Sequence, residues 1–143
     1  MTAEENQAVV RRLFDEVWNQ GKDAAVDELL TPETLFYSPL SPQPRRGTQP
    51  LKEYMHYLHG TFPDIHYTID QMFGEGDRVA VRWTSRQTHS RPFMGSPPSG
   101  KQLVISAIEF FQVTDGRIQN IWLEVDLPST MKQLGFPVPD LPF

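Results

Sequence analysis

The second half of the chain is almost unbroken strand-forming sequence, and this limits the folds open to it more than any other feature. His66–Phe73, Arg78–His89, Leu103–Val113 and Ile118–Asp126 are alternating or β-branched runs. They are separated by Gly74-Glu75-Gly76-Asp77, by the loop RPFMGSPPSGK, and by Asp115-Gly116, a dipeptide suited to a tight hairpin. Long strands joined by short turns form an antiparallel meander. Such a sheet needs a cover for one apolar face.

The first half supplies that cover. Residues 3–20 place Val9, Val10, Leu13, Phe14, Val17 and Trp18 at helical spacing, with Glu4 and Glu5 at the start, where the helix dipole favours acids. Asp23–Leu30 reads as a short second helix. Gln49–Phe62 reads as a third, its apolar side carried by Leu51, Tyr54, Met55, Leu58 and Phe62. Leu35, Phe36 and Tyr37 predict a short strand running into the proline-rich SPLSPQPRRG. The expected fold class is α+β, a strongly curved and mostly antiparallel sheet with three helices closing a hydrophobic pocket. Residues 1–143 form one domain, with no internal repeat.

Composition excludes several functions. The 143 residues carry a net charge of −5, and no basic cluster exceeds Arg45-Arg46, which argues against nucleic acid and anionic membrane as partners. There is no cysteine, so disulfides, thiolate metal sites and cysteine nucleophiles are absent. MTAEENQAVV lacks the regions of a signal peptide, and no apolar run reaches membrane-spanning length, so a soluble, cytoplasmic protein is expected. No His/Asp/Glu spacing resembles a metal site. GSPPSGK lacks the spacing of a phosphate-binding loop and has prolines where amides should bind.

The last strand carries the most chemistry. Simple alternation puts Ile118, Asn120, Trp122, Glu124 and Asp126 on one face, and Gln119, Ile121, Leu123 and Val125 on the other. Facing a pocket, Glu124 and Asp126 are acids in a poorly solvated site and candidates for proton transfer. Facing water, they are ordinary surface acids. Asp126-Leu-Pro-Ser also reads as a helix N-cap. Glu109, between apolar neighbours in mid-strand, is either paired with Arg82 or set in the cavity. His89 ends the third long strand, placed either to polarise a carbonyl or to hydrogen bond the backbone. Trp18, Tyr37, Tyr54, Trp83 and Trp122 are candidate pocket aromatics or plain core.

The helix NQAVVRRLFDEVWNQG, the segment FPDIHYTIDQMFGEGDRVAVRWTSRQTHS, the loop PFMGSPPSGK and the end DGRIQNIWLEVDLPSTMKQLG together resemble the SnoaL-like polyketide cyclase and ester cyclase family. The resemblance covers nearly the whole chain. It implies the cone-shaped α+β barrel shared with ketosteroid isomerase, scytalone dehydratase and nuclear transport factor 2. It also implies a pocket acid that works without cofactor or metal, moving a proton beside a carbonyl so that an intramolecular aldol closure occurs. Trp122, Asp126 and Gln133-Leu134-Gly135 match the family's end motif, whereas Ile121 stands where many relatives carry a histidine. Phe36, Tyr37 and Ser38 replace a polar cluster, making the pocket less polar.

The expected function is therefore a cofactor-independent cyclase or isomerase/lyase-type enzyme acting on a hydrophobic, oxygenated small molecule. Asp126 and His89 would be catalytic, with Trp18, Tyr37, Tyr54, Arg82, Trp83, Glu109, Trp122 and Glu124 around the substrate. The alternatives are a non-catalytic binder of apolar ligands, or an epoxide hydrolase or dehydratase built around Arg82 and Asp126. A homodimer is expected, its interface covering Ile121, Leu123 and Val125.

Overall fold

The computed structural model describes residues 1–142. Helix α1 (Ala3–Arg12) starts at Thr2, whose hydroxyl accepts the Glu5 N–H at 3.0 Å, and runs on into a π-helical turn, Leu13–Trp18. Extra residues in a helical turn re-aim the side chains beyond them. Here Leu13, Phe14, Val17 and Trp18 are all buried. Asn19 then ties the turn to the sheet, accepting the Tyr67 N–H at 2.7 Å and donating to the Tyr67 carbonyl at 3.0 Å. Helix α2 (Asp23–Leu29) passes directly into β1 (Leu30–Tyr37). This strand begins well before the expected Leu35. Pro32 is accommodated because it lies where the ladder is interrupted, between Leu30 and Leu35.

The two-residue β2 (Arg45–Arg46) precedes α3 (Gln49–Thr61), which has a proline in its first turn. The meander follows as β3 (His66–Glu75), β4 (Arg78–Thr88), β5 (Gln102–Thr114) and β6 (Arg117–Val125), and α4 (Leu127–Gln133) ends the ordered elements. At the β5–β6 hairpin, Asp115 and Gly116 have φ of 52° and 75°. That pair of positive φ values matches the right-handed twist of the flanking strands.

The sheet order is β2-β1-β6-β5-β4-β3, antiparallel except for the β1–β6 pair. Its edge strands β2 and β3 do not meet, so the expected barrel is an open, curved sheet, and four helices accompany it rather than three. Val10, Leu13, Phe14, Val17, Met55, Leu58 and Phe62 form one core with the inward residues Tyr67, Val79, Val81, Trp83, Phe111, Ile121 and Leu123. Among the described residues no helix is long and apolar enough to cross a membrane.

The face assignment of β6 is the main correction. Ile121 and Leu123 are buried, whereas Glu124 and Asp126 are exposed. A register shift between Gln112 and Val113 leaves an extra residue on β6 between Ile118 and Asn120. The phase of the strand slips there, so Ile118 and Ile121 both point inward. The apolar trio Ile121, Leu123 and Val125 is covered by the protein's own core, and Trp122, Glu124 and Asp126 face outward.

Candidate functional site

The inward positions of β4 and β5 build the site. Glu109 lies between Ala107 and Phe111 on the concave face, opposite Val81 on one side and Leu123 on the other. It is 4% exposed and is the one carboxylate among the buried residues described. Trp83 Nε1 donates to its Oε1 at 2.6 Å. Tyr67 meets Trp83 edge-on at 5.0 Å between centroids, and Trp18 packs 5.8 Å from Tyr67 and 5.9 Å from Tyr54. A carboxylate walled by aromatic rings loses its hydration, so burial pushes the Glu109 carboxyl up to about 7. The Trp83 hydrogen bond opposes this and is the weaker effect.

Burial, with the charge of Glu109 added, also pushes the Tyr54 hydroxyl up to about 12 and that of Tyr67 well above its ordinary value. Both phenols therefore stay protonated at neutral pH, as hydrogen-bond donors. The expected Arg82–Glu109 pair does not form. Arg82 is in register with Ile108 and Val81 with Glu109, so the two side chains leave the sheet on opposite faces.

Two spaces lie beside this region, and Tyr67 and Trp83, not Glu109 itself, line the inner one. An inner cavity of about 60 Å³ is lined by Tyr54, Phe62, Tyr67, Trp83, Gln87 and Leu123, among others. A vestibule of about 310 Å³ lies between the proline-rich loop and α3, lined by Phe36, Ser38, Arg45 and Tyr57. Leu40 and Tyr54 line both spaces and so form the partition between them. The vestibule falls within the usual size of ligand pockets, whereas the inner cavity holds only a few waters.

The residues singled out from sequence divide into two groups. Tyr54, Trp83 and Glu109 come together on the concave side, with Trp18 behind them as core. His89 is inward and 1% exposed, its Nδ1 3.0 Å from Ser99 Oγ. The others lie on the convex side. Tyr37 stacks on Trp122 at 5.7 Å, and the Arg78 guanidinium sits 5.4 Å over the Trp122 ring. Arg82, Glu124 and Asp126 share an outer groove of about 250 Å³.

Asp126 is the N-cap of α4, accepting the Ser129 N–H at 3.0 Å, which was the second reading of Asp126-Leu-Pro-Ser. Two inward residues escaped the sequence reading, Ser85 and Gln87. Period-two counting along β4 from Trp83 reaches both, and that signal was available. Among the described residues no group of three or more His, Asp or Glu side chains is placed to hold a metal.

The known proteins that the chain resembles agree with this architecture. No curated protein matches its sequence. The structure superposes on IdmH, a candidate polyketide cyclase from Streptomyces antibioticus, with a TM-score of 0.82 and 28% identity over 91% of this chain and 98% of that one. It superposes on a candidate SnoaL-like polyketide cyclase from Jannaschia sp. CCS1 with a TM-score of 0.83 and 27% identity over 95% of each chain. AclR from Streptomyces galilaeus, a candidate hydroxylase, shares the fold at a TM-score of 0.83 and 24% identity, over 99% of this chain and 91% of that one. A Catenulispora acidiphila protein with a ketosteroid isomerase-like fold gives a TM-score of 0.72 at 15% identity, over 90% of this chain and 93% of that one. The model of the SnoaL-like polyketide cyclase family matches residues 8–134, and the chain belongs to that family.

Proposed function

We propose that the chain is a cofactor-independent acid–base enzyme of the cyclase type, and that Glu109 carries the proton. The observation that carries this reading is the buried Glu109 carboxyl, held by Trp83 on the concave face with a proton affinity near neutrality. A general base works best when its pKa lies near the working pH. In the step envisaged, the Glu109 carboxylate takes a proton from a carbon beside a carbonyl. The C–H electron pair becomes an enolate, whose oxygen accepts a hydrogen bond from Tyr54. The enolate carbon attacks a second carbonyl of the same molecule, and the resulting alkoxide takes the proton back from Glu109. The sequence is redox-neutral and returns the carboxylate to its starting state.

In this proposal the acid–base role moves from Asp126 to Glu109, because Asp126 faces outward and caps α4. His89 stays buried but lies just past the far end of β4. A substrate reaches the inner cavity only if Tyr54 or Leu40 rotates away from the partition.

The test is deuterium exchange at the α-carbon of 2-tetralone, followed by NMR. The wild type and Asp126→Asn should exchange at similar rates, and Glu109→Gln should lose the activity. Undiminished exchange by Glu109→Gln, or its loss in Asp126→Asn, would refute the assignment. A non-catalytic binder is the second reading, favoured by the small inner cavity and the wholly apolar inward face of β6. Exchange no faster than in buffer, with tight ligand binding, would select it.

The expected homodimer belongs here as well, on a different surface. On the convex face Phe73, Ile108 and Phe110 are 69%, 51% and 55% exposed, and Phe73 and Phe110 line one groove with Arg78 and Ala80. A second copy would cover this patch. Phe110→Glu should shift a sedimenting dimer to monomer, and an unchanged sedimentation coefficient would exclude that interface.

A further inference from the structure

Two buried polar groups that the acid–base step leaves unused stand at the end of β4 and just beyond it. Gln87 and His89 are each 1% exposed, and Gln87 Oε1 and His89 Nε2 have no hydrogen-bond partner. Buried polar atoms are paired in the great majority of cases, so two orphans two residues apart, one on β4 and one just past its end, need a reason. Gln87, with its neighbour Ser85, lines the inner cavity, and the surrounding walls are Ile105, Phe93, Val125 and Leu127.

The two orphans have complementary roles. Gln87 Oε1 accepts only. Ser99 Oγ already accepts the Lys101 N–H at 3.2 Å and lies 3.0 Å from His89 Nδ1. The Ser99 hydroxyl hydrogen is thus free to point at Nδ1, and in that tautomer Nε2 carries the N–H. A hydroxyl can donate to Gln87 Oε1, whereas an ether or a plain carbonyl can only accept.

The site also lies away from the proposed base. Gln87 pairs with Leu103, and Glu109 is six positions further along β5, roughly 20 Å along the strand. We propose that Gln87 is a specificity-determining residue whose Oε1 accepts a hydrogen bond from a hydroxyl of an extended, otherwise apolar substrate in the inner cavity, remote from the carbon that Glu109 deprotonates, with His89 behind that wall rather than in it. The proposal rests on the acid–base reading for the substrate's other end, but it is measured separately, by binding rather than turnover.

The probes are 2-naphthol and 2-methoxynaphthalene, which differ in the hydroxyl hydrogen, titrated calorimetrically. Wild type should prefer the naphthol by about tenfold, the effect of one buried hydrogen bond. Gln87→Met should bring the preference close to unity without lowering the melting temperature, since an unpaired buried amide has been removed. Gln87→Leu should behave alike and serves if the first variant misfolds. A preference retained in these variants overturns the proposal. So does a wild type without preference, and a melting temperature that falls in Gln87→Met would then assign the amide to a structural water. Glu109→Gln separates the two readings. It should keep the naphthol preference while losing deuterium exchange, and unaltered exchange there would sink the acid–base assignment alone.

Discussion

Replacing Glu109 by Gln should make the protein more stable at high pH and leave it nearly unchanged at low pH. The Glu109 carboxyl moves from its ordinary 4.5 to about 7 on folding, because burial disfavours the charged form. Below pH 4.5 it is protonated in both states and costs nothing. Between 4.5 and about 7 the unfolded chain gives up the proton while the folded protein keeps it, so stability falls as pH rises. Above about 7 the loss is complete. At about 1.36 kcal/mol per pH unit, the interval amounts to about 3 kcal/mol.

Glutamine has nearly the same shape, can still accept from Trp83 Nε1, and does not ionise. The stability difference between Glu109→Gln and wild type should therefore grow by about 3 kcal/mol between pH 4.5 and pH 8, which corresponds to roughly 10 °C in melting temperature for a domain of this size. Urea melts of both proteins across that range measure it. The carboxylates held below their ordinary range, Glu16, Asp64 and Asp77, are common to both proteins and cancel in the difference. Parallel curves would show that Glu109 is solvated in the folded protein, and the argument for its role would fail with them.

Three further perturbations follow from the same geometry. Trp83→Phe removes the hydrogen bond that favours the Glu109 carboxylate, so the midpoint of the exchange rate against pH should move upward, and a fixed or lowered midpoint would contradict the pairing. Asp126→Ala should cost about 1 kcal/mol in denaturant melts through the lost cap on α4, with exchange activity retained. Asn19→Ala strips both backbone groups of Tyr67 of their partner and should cost about 2 kcal/mol by the same assay, since Asn19 holds the π-helical turn to β3. Stability within a few tenths of wild type would mean that water replaces the amide.

Much of the architecture was legible in the sequence because it is set by local chemistry. The period-two runs gave the four long strands, Asp115-Gly116 gave the hairpin, and the apolar spacing of Val10, Leu13, Phe14 and Val17 gave the first helix. Glu109 was also legible as an acid on the face of Ala107 and Phe111. Less local features were not. The π-helical turn at Leu13–Trp18 keeps the apolar pattern of an ordinary helix, and the start of β1 at Leu30 depends on an interrupted ladder with β6 that makes room for Pro32.

Alternation along the last strand determined which residues of 120–126 share a face, and nothing more. Which face lies inside was decided by tertiary structure. The irregularity opposite Gln112–Val113 slips the phase, and the helices cover the concave side of the curved sheet. A strand's period records only that neighbours point apart, whereas the inside is defined by where other elements remove water. For that reason Asp126, prominent in the sequence, is a helix cap on the outside. Glu109, one acid among many in the sequence, stands alone as the buried carboxylate among the described residues.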